Sequence, residues 1–318
     1  MPATNSEGKV TWLLPVRNGI RFLPETLASI ESQTYKQWEV LAWDNGSTDG
    51  ALEELNRWIP NRLPGRVVSG SPLPLSESLR EMVLMAETEL CARIDADDIS
   101  MPDRLEKQVR FLRQNREIAL VGSRVQTIDQ TGADSGSYPL LPCEHDDIVS
   151  YALHANPLAH PSVLLRRSAV LAAGNYRYVG SVNIEDYDLW LRMACQCRLA
   201  NLPDVLLRYR VHEQSVTQQS LRKDELYSSL NARFAEHAPV LYGLTNAEAL
   251  KLRTRTHPNS LSAIYRVAGH LARTQRGGAA QWMLSPWMLA SAAQLTAGSD
   301  LVSRAVFKML RRVTPRPT

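Results

Sequence analysis

The sequence predicts an α/β fold: a parallel sheet covered on both faces by helices. Two observations lead to it. Through the first hundred residues, short apolar runs alternate with amphipathic segments of helical period, the rhythm of strand–helix–strand units. Three clusters of turn-forming and acidic residues, PVRNG (15–19), DNGSTDG (44–50) and DADD (95–98), each lie at the end of one of those apolar runs. That edge, the carboxyl ends of the strands, is where open α/β sheets gather their ligands.

Taken in order, KVTWLLPV (9–16) is a short apolar run that ends at a breaker and reads as a buried strand. RFLPETLASIESQ (21–33) carries Leu23, Leu27 and Ile30 at i, i+4 and i+7, with Pro24 suited to a first helical turn. WEVLAWD (38–44) is the second strand, and the turn residues of 45–50 close it. ALEELNRWI is a helix and RVVS (66–69) a strand. SESLREMVLMAETE (76–89) is a helix, and LCARI (90–94) is a strand that runs into the acidic cluster. Beyond it, Ser100 and Asp103 form a capping-box-like pair ahead of Leu105, Val109 and Leu112 at helical spacing. Trp12, Trp38 and Trp43 fall in strands and are expected in the core, as is Trp190. Arg166 and Arg167 are expected in a solvated turn.

Composition excludes several classes. The 318 residues are 44% hydrophobic and 22% charged, an ordinary globular balance. The net charge of +3 is too small to argue for nucleic acid. Of four cysteines, Cys195 and Cys197 form only a C-x-C, without the second pair of a zinc site, so free thiols in a reducing compartment are expected. MPATNSEGK carries no signal-peptide pattern, and the apolar stretch after it is short and broken by Pro15. The expected location is cytoplasmic.

Asp95, Asp97 and Asp98 stand within four positions. Like charges this close destabilise a fold unless something positive sits among their oxygens. Hard oxygen ligands on one short turn suit Mg²⁺ or Mn²⁺, which in turn bind phosphate oxygens.

With these residues in place, the chain resembles the inverting family 2 glycosyltransferases, which have the GT-A nucleotide-sugar fold. The matching stretches are VTWLLPVRNG (10–19), LASIESQTYKQWEVLAWDNGSTDG (27–50), ARIDADDISMPDRLEKQVRFL (92–112), HPSVLLRRSAVLAAGNYR (160–177), IEDYDLWLRMA (184–194) and LLRYRVHEQSVT (206–217). They run in the family's order over roughly residues 8 to 218. The resemblance implies a Rossmann-like, mostly parallel sheet flanked by helices as the catalytic domain (1–218); the residue pattern beyond it reads as a helical C-terminal region (219–318). It implies a nucleoside diphosphate sugar donor, UDP above all, a divalent metal and a glycan or lipid-linked acceptor of a bacterial surface polysaccharide.

Residue by residue, Pro15, Val16, Arg17 and Asn18 match the turn that cradles the nucleotide base. Asp44 matches the acidic contact to base or ribose. Asp95 and Asp97 match the D-x-D pair, whose second member reaches the metal and whose first reaches ribose or the metal shell. Asp98 is expected to be structural. Glu185 and Asp186 match the acidic pair over the acceptor, with Asp186 as general base, although Asp186 also stands where an acidic residue favours a helix start. His212 matches a late histidine that closes on metal or diphosphate in some members. Arg93 either meets the diphosphate or neutralises Asp95 and Asp97. Arg80 and Met82 depart from the pattern, standing where Asn and Gly are common. A nucleotidyltransferase of similar fold would need a basic, Gly-rich loop after the first strand, and PVRNG is a poor one. A silent binding module would be expected to have lost Asp97 or Asp186, and both are present.

The remainder reads as helical. Residues 277–299 carry no charge until Asp300, but Pro286 and several polar residues argue against a spanning helix. In 301–313, Leu301, Val302, Ala305, Val306, Met309 and Leu310 share one face while Arg304, Lys308, Arg311 and Arg312 line the other. That pattern suits peripheral docking on the inner membrane face, or a helix packed on the main domain.

Overall fold

The computed structural model describes residues 8–136, 138–153, 155–180, 182–212 and 223–254; the stretches 277–299 and 301–313 lie outside the described residues. The chain divides into two compact units. The first comprises residues up to Ile148 and Asn156–Ser229, the second Val149–Ala155 and the chain from Leu230 on.

The first unit is built on one sheet of eight strands: β1 (Val10–Val16), β2 (Trp38–Asp44), β3 (Gly65–Ser69), β4 (Leu90–Arg93), β5 (Ile99–Ser100), β6 (Ile118–Ile128), β7 (Leu164–Arg166) and β8 (Arg198–Arg210). Their order is β3-β2-β1-β4-β7-β6-β8-β5. β3, β2, β1 and β4 run parallel, as do β6 and β8. β7 enters antiparallel between β4 and β6, and β5 pairs antiparallel with β8. The helices of this unit are α1 (Leu23–Glu31), α2 (Ala51–Trp58), α3 (Leu75–Met85), α4 (Arg104–Gln114), α5 (His145–Ala152, which runs on into the second unit), α6 (Arg167–Ala172) and α7 (Glu185–Ala194). The second unit takes most of α8 (Lys223–Tyr242), with α9 (Asn246–Thr254); there the Tyr242 hydroxyl donates to Val149 O at 2.7 Å. Among the described residues no helix is long and apolar enough to cross a membrane.

Apolar periodicity accounts for the layers. Every residue of β1 is buried, as a strand covered on both faces requires. Leu23, Leu27 and Ile30 of α1, Leu79, Met82 and Val83 of α3, and Leu105, Val109 and Leu112 of α4 are the inward stripes. Trp12, Trp38, Trp43 and Trp190 are all buried, in the core as the sequence suggests. Met82 is wholly inside, whereas Arg80 is exposed and pairs with Glu81.

Two expectations are corrected. Ser100 does not cap α4, because it is spent in β5, paired with Leu207 of β8. Asp103 holds the N-cap position without a side-chain cap bond, and its carboxylate pairs with Lys107 instead. Arg166 and Arg167 are not a solvated turn. The Arg166 guanidinium donates to Leu112 O near the end of α4 and to Ile118 O at the start of β6. That of Arg167 donates to Val83 O and Leu84 O near the end of α3. Helix C-termini leave their last carbonyls without partners, and cations are favoured there. The two arginines meet that need.

Candidate active site

Strand register sets the site. Val16 lies opposite Asp44, Asp44 opposite Ser69, and β4 ends at Arg93 opposite Leu13, so the turns after β1, β2 and β4 open on one edge. Pro15 and Val16 are buried within β1 itself, and Arg17 and Asn18 stand exposed beyond it. Asn18 takes φ +52°, a left-handed conformation that asparagine tolerates. Its backbone N–H donates to Ser47 Oγ, and its Oδ1 accepts from the Thr48 N–H. Asp49 Oδ2 accepts from the Ile20 N–H. The two turns are thereby tied into one rim. Asp44 is buried, its carboxylate accepting from the Ser47 N–H and the Ser69 hydroxyl. Gly19 keeps the first turn close to the acidic one: a Cβ there would stand 3.2 Å from Ala96 Cβ.

The acidic turn is held from β8. Arg210, fully buried, donates its backbone N–H to Asp98 Oδ1 and its guanidinium to Asp97 O, Asp129 O and Glu25 Oε2, with Phe22 beneath it at 4.5 Å. Asp98 Oδ1 therefore plays the structural part expected of that residue. Its Oδ2 is buried with no hydrogen-bond partner among the described residues. Asp95, Asp97 and Asp98 each bring a carboxylate oxygen to within 4.8 Å of the others. Burial pushes Asp95 and Asp98 above the usual carboxylate range, Asp98 strongly, and their neighbouring carboxylates push the same way. His212 Nε2 lies 2.8 Å from Asp97 Oδ2, so the late histidine does reach the acidic turn. Asp95, Asp97 and the orphaned Asp98 oxygen make a hard oxygen donor set that fits a divalent cation, with the His212 imidazole beside it.

Asp186 lies in the first turn of α7, next to Glu185 at its first position. Both are largely buried. Asn156 Nδ2 donates to Asp186 Oδ2, and the Tyr187 N–H to Oδ1. Burial, then the charge of Asp186, pushes Glu185 up to about 8; burial also raises Asp186. Arg93, whose side chain is 3% exposed, pairs with Asp95 and also acts electrostatically on Glu185 and Asp186. One buried guanidinium thus bears on both acidic groups. Beside them a cleft of about 240 Å³ is lined by Pro74 and Ser76 at α3, by Tyr178–Gly180, Val182 and Asn183, and by Glu185.

Asp188, two residues further on, is a different kind of carboxylate. It is wholly buried and accepts from Arg177 at 2.7 and 2.9 Å and from Arg192 at 2.9 Å, pinning the chain just before Tyr178 to α7. Its oxygens are committed to these ion pairs. Removing one partner of a buried ion pair leaves the other charge uncompensated. Asp188→Ala is therefore expected to lower stability by about 3 kcal/mol or more, read as the urea midpoint against wild type; an unchanged midpoint would show the clamp to be worth nothing.

Asn156, His160, Tyr176 and Arg210 are among the polar residues here that carry no role in the sequence reading. The signal available was a polar side chain set among buried apolar neighbours, as His160 is in HPSVLL.

Comparison with known proteins settles the family. The model of glycosyl transferase family 2 matches residues 11–172. The chain belongs to that family. An O-antigen biosynthesis glycosyltransferase of Escherichia coli, WbnJ, is 30% identical over 264 residues, which is 80% of this chain and 94% of the relative. The amylovoran biosynthesis glycosyltransferase AmsE of Erwinia amylovora is 33% identical over 200 residues, 62% of this chain and 73% of that one. Among solved structures, Staphylococcus aureus TarS (residues 1–349) in complex with UDP-GlcNAc aligns with a TM-score of 0.61 at 14% identity, covering 97% of this chain and 93% of that one. The protein is a glycosyltransferase with the α/β fold and mostly parallel central sheet that the sequence predicts.

Proposed function

We propose that this glycosyltransferase moves a sugar from a nucleoside diphosphate, UDP in the first instance, to a hydroxyl of a growing surface polysaccharide, lipid-linked during assembly, with inversion and with the help of a divalent cation. The observation that carries the reading is the pairing of a cation-competent acidic turn with a buried acidic pair, both under the field of Arg93. The polysaccharide setting is supported by the relatives named for O-antigen and amylovoran biosynthesis, and UDP by the TarS complex.

In this mechanism the tied turns at Asn18 and Asp44 receive the nucleoside, with Pro15, Val16 and Arg17 shaping that end. Asp95, Asp97, Asp98 Oδ2 and His212 would hold Mn²⁺ or Mg²⁺. Such a cation, when bound, neutralises the charge that grows on the departing diphosphate, the electrostatic contribution that usually dominates such transfers. The cleft beside Glu185 has room for a sugar ring. Asp186, fixed by Asn156 and the Tyr187 N–H, takes the proton of the acceptor hydroxyl as the new bond forms. One base and one departing diphosphate on opposite sides of the anomeric carbon give a single displacement, hence inversion. Burial and the charge of Asp186 push Glu185 up to about 8, which favours Asp186 as the ionised member of the pair.

The test is a thermal-shift panel of UDP-, GDP- and dTDP-sugars with Mn²⁺. At a hundred times Kd the matching donor contributes about 2.7 kcal/mol, a rise of several degrees in Tm. If no nucleotide sugar moves Tm, the donor reading is wrong.

A further inference from the structure

We propose that His160 and Tyr176 are positioning residues for sugar transfer: the imidazole, set by the tyrosine hydroxyl, presents an N–H to the Glu185–Asp186 pair and holds Asp186 as an aligned carboxylate. The inference rests on the reading of Asp186 as the base.

His160 opens the 3₁₀ turn His160–Ser162 and is 8% exposed. Its ring is fixed on three sides. Nε2 lies 2.9 Å from the Tyr176 hydroxyl, the Trp190 ring meets it edge-on at 5.6 Å, and Nδ1 faces Glu185 Oε1 at 3.8 Å and Asp186 Oδ2 at 4.0 Å. Burial, then the positive charge of Arg93, keeps the imidazole well below its ordinary pKa, so the ring is neutral and carries one N–H. Burial pushes the Tyr176 phenol up, so it keeps its proton. With that proton donated to Nε2, the ring N–H falls on Nδ1, the nitrogen that faces the acids.

The charged and titratable groups bearing on this spot are Arg93 from β4, Asp95 just beyond it, Glu185 and Asp186 from α7, and Tyr176, which also feels Cys91. Two buried carboxyl groups side by side resist ionisation. Each donor aimed at them opposes that resistance, and His160 adds one to those of Asn156 and the Tyr187 N–H. The Nδ1 contact is longer than a hydrogen bond. Catalytic contacts of this kind commonly tighten once substrate is bound.

The experiment follows UDP release, with water as acceptor, from whichever of UDP-glucose, UDP-galactose and UDP-N-acetylglucosamine the full chain hydrolyses fastest with Mn²⁺. It records kcat against pH, with UDP affinity by calorimetry on the same preparations. His160→Gln keeps a partner for Tyr176 but removes the atom facing the acids. It is expected to move the acid limb up by about one unit, which is about a tenfold loss of kcat on the limb itself and a smaller loss at neutral pH, with UDP affinity unchanged. His160→Asn, whose amide falls near Nδ1, is expected to restore part of the rate. Tyr176→Phe is expected to shift the limb in the same direction by less. If His160→Gln and Tyr176→Phe both keep the wild-type limb while Asp186→Asn is inactive, the positioning role is wrong and the base reading stands. If Asp186→Asn turns over normally, the base reading falls and this inference with it. Should His160→Gln fail to fold, Tyr176→Phe decides alone.

Discussion

Asp186→Asn is expected to cut turnover roughly a hundredfold or more, the size of a general-base loss, while UDP binds almost as before. The substitution keeps the side chain's shape and an oxygen for the Tyr187 N–H, puts an NH2 group where Oδ2 accepts from Asn156, and removes the proton acceptor. A group that acts in the transition state lowers kcat and kcat/KM together and leaves ground-state binding alone. Nucleotide release measures the first quantity and calorimetry with UDP the second. Near-normal transfer would place the base elsewhere, with Glu185 next in line, since Asp188 is locked between Arg177 and Arg192. A variant that fails to fold would mean that Asp186 serves chiefly to start α7.

Asp97→Ala is expected to show the opposite balance. Asp97 is half-buried at the centre of the acidic turn, with His212 on its Oδ2. Without its carboxylate the turn loses a cation ligand and His212 loses its partner. UDP affinity in Mn²⁺ should fall by about tenfold or more, at least 1.4 kcal/mol, and turnover should fall with it. In EDTA wild type should weaken to the level of the variant. Equal UDP affinity for wild type with and without the metal, measured by calorimetry, would remove the cation from the account.

What the sequence could and could not disclose follows from the range of each interaction. β1, β2 and their turns are local: an apolar run, a breaker and an Asn-Gly turn specify them within about ten residues, and the structure places them there. The acidic turn was legible because three carboxylates adjacent in sequence must also be adjacent in space. Ser100 misled because its partner is Leu207, more than a hundred residues away, and pairing at that distance leaves no mark on the local pattern. Arg166 and Arg167 misled because adjacent arginines read as solvated, while the carbonyls they meet lie in α4, β6 and α3, about fifty and eighty residues earlier. The grip of Arg210 on the acidic turn and the contact of His160 with Tyr176 are likewise tertiary. Their chemistry is invisible until the sheet brings β4, β8 and α7 to one edge.

The most direct test of the single-displacement account is the configuration of the sugar at the moment of release. Proton NMR of early hydrolysis time points, taken with Mn²⁺ and the donor selected by the thermal-shift panel, resolves the first-formed anomer before mutarotation mixes the two. A base at Asp186 across the anomeric carbon from the diphosphate predicts the inverted anomer, formed in wild type and lost in Asp186→Asn. The retained anomer as first product would contradict it.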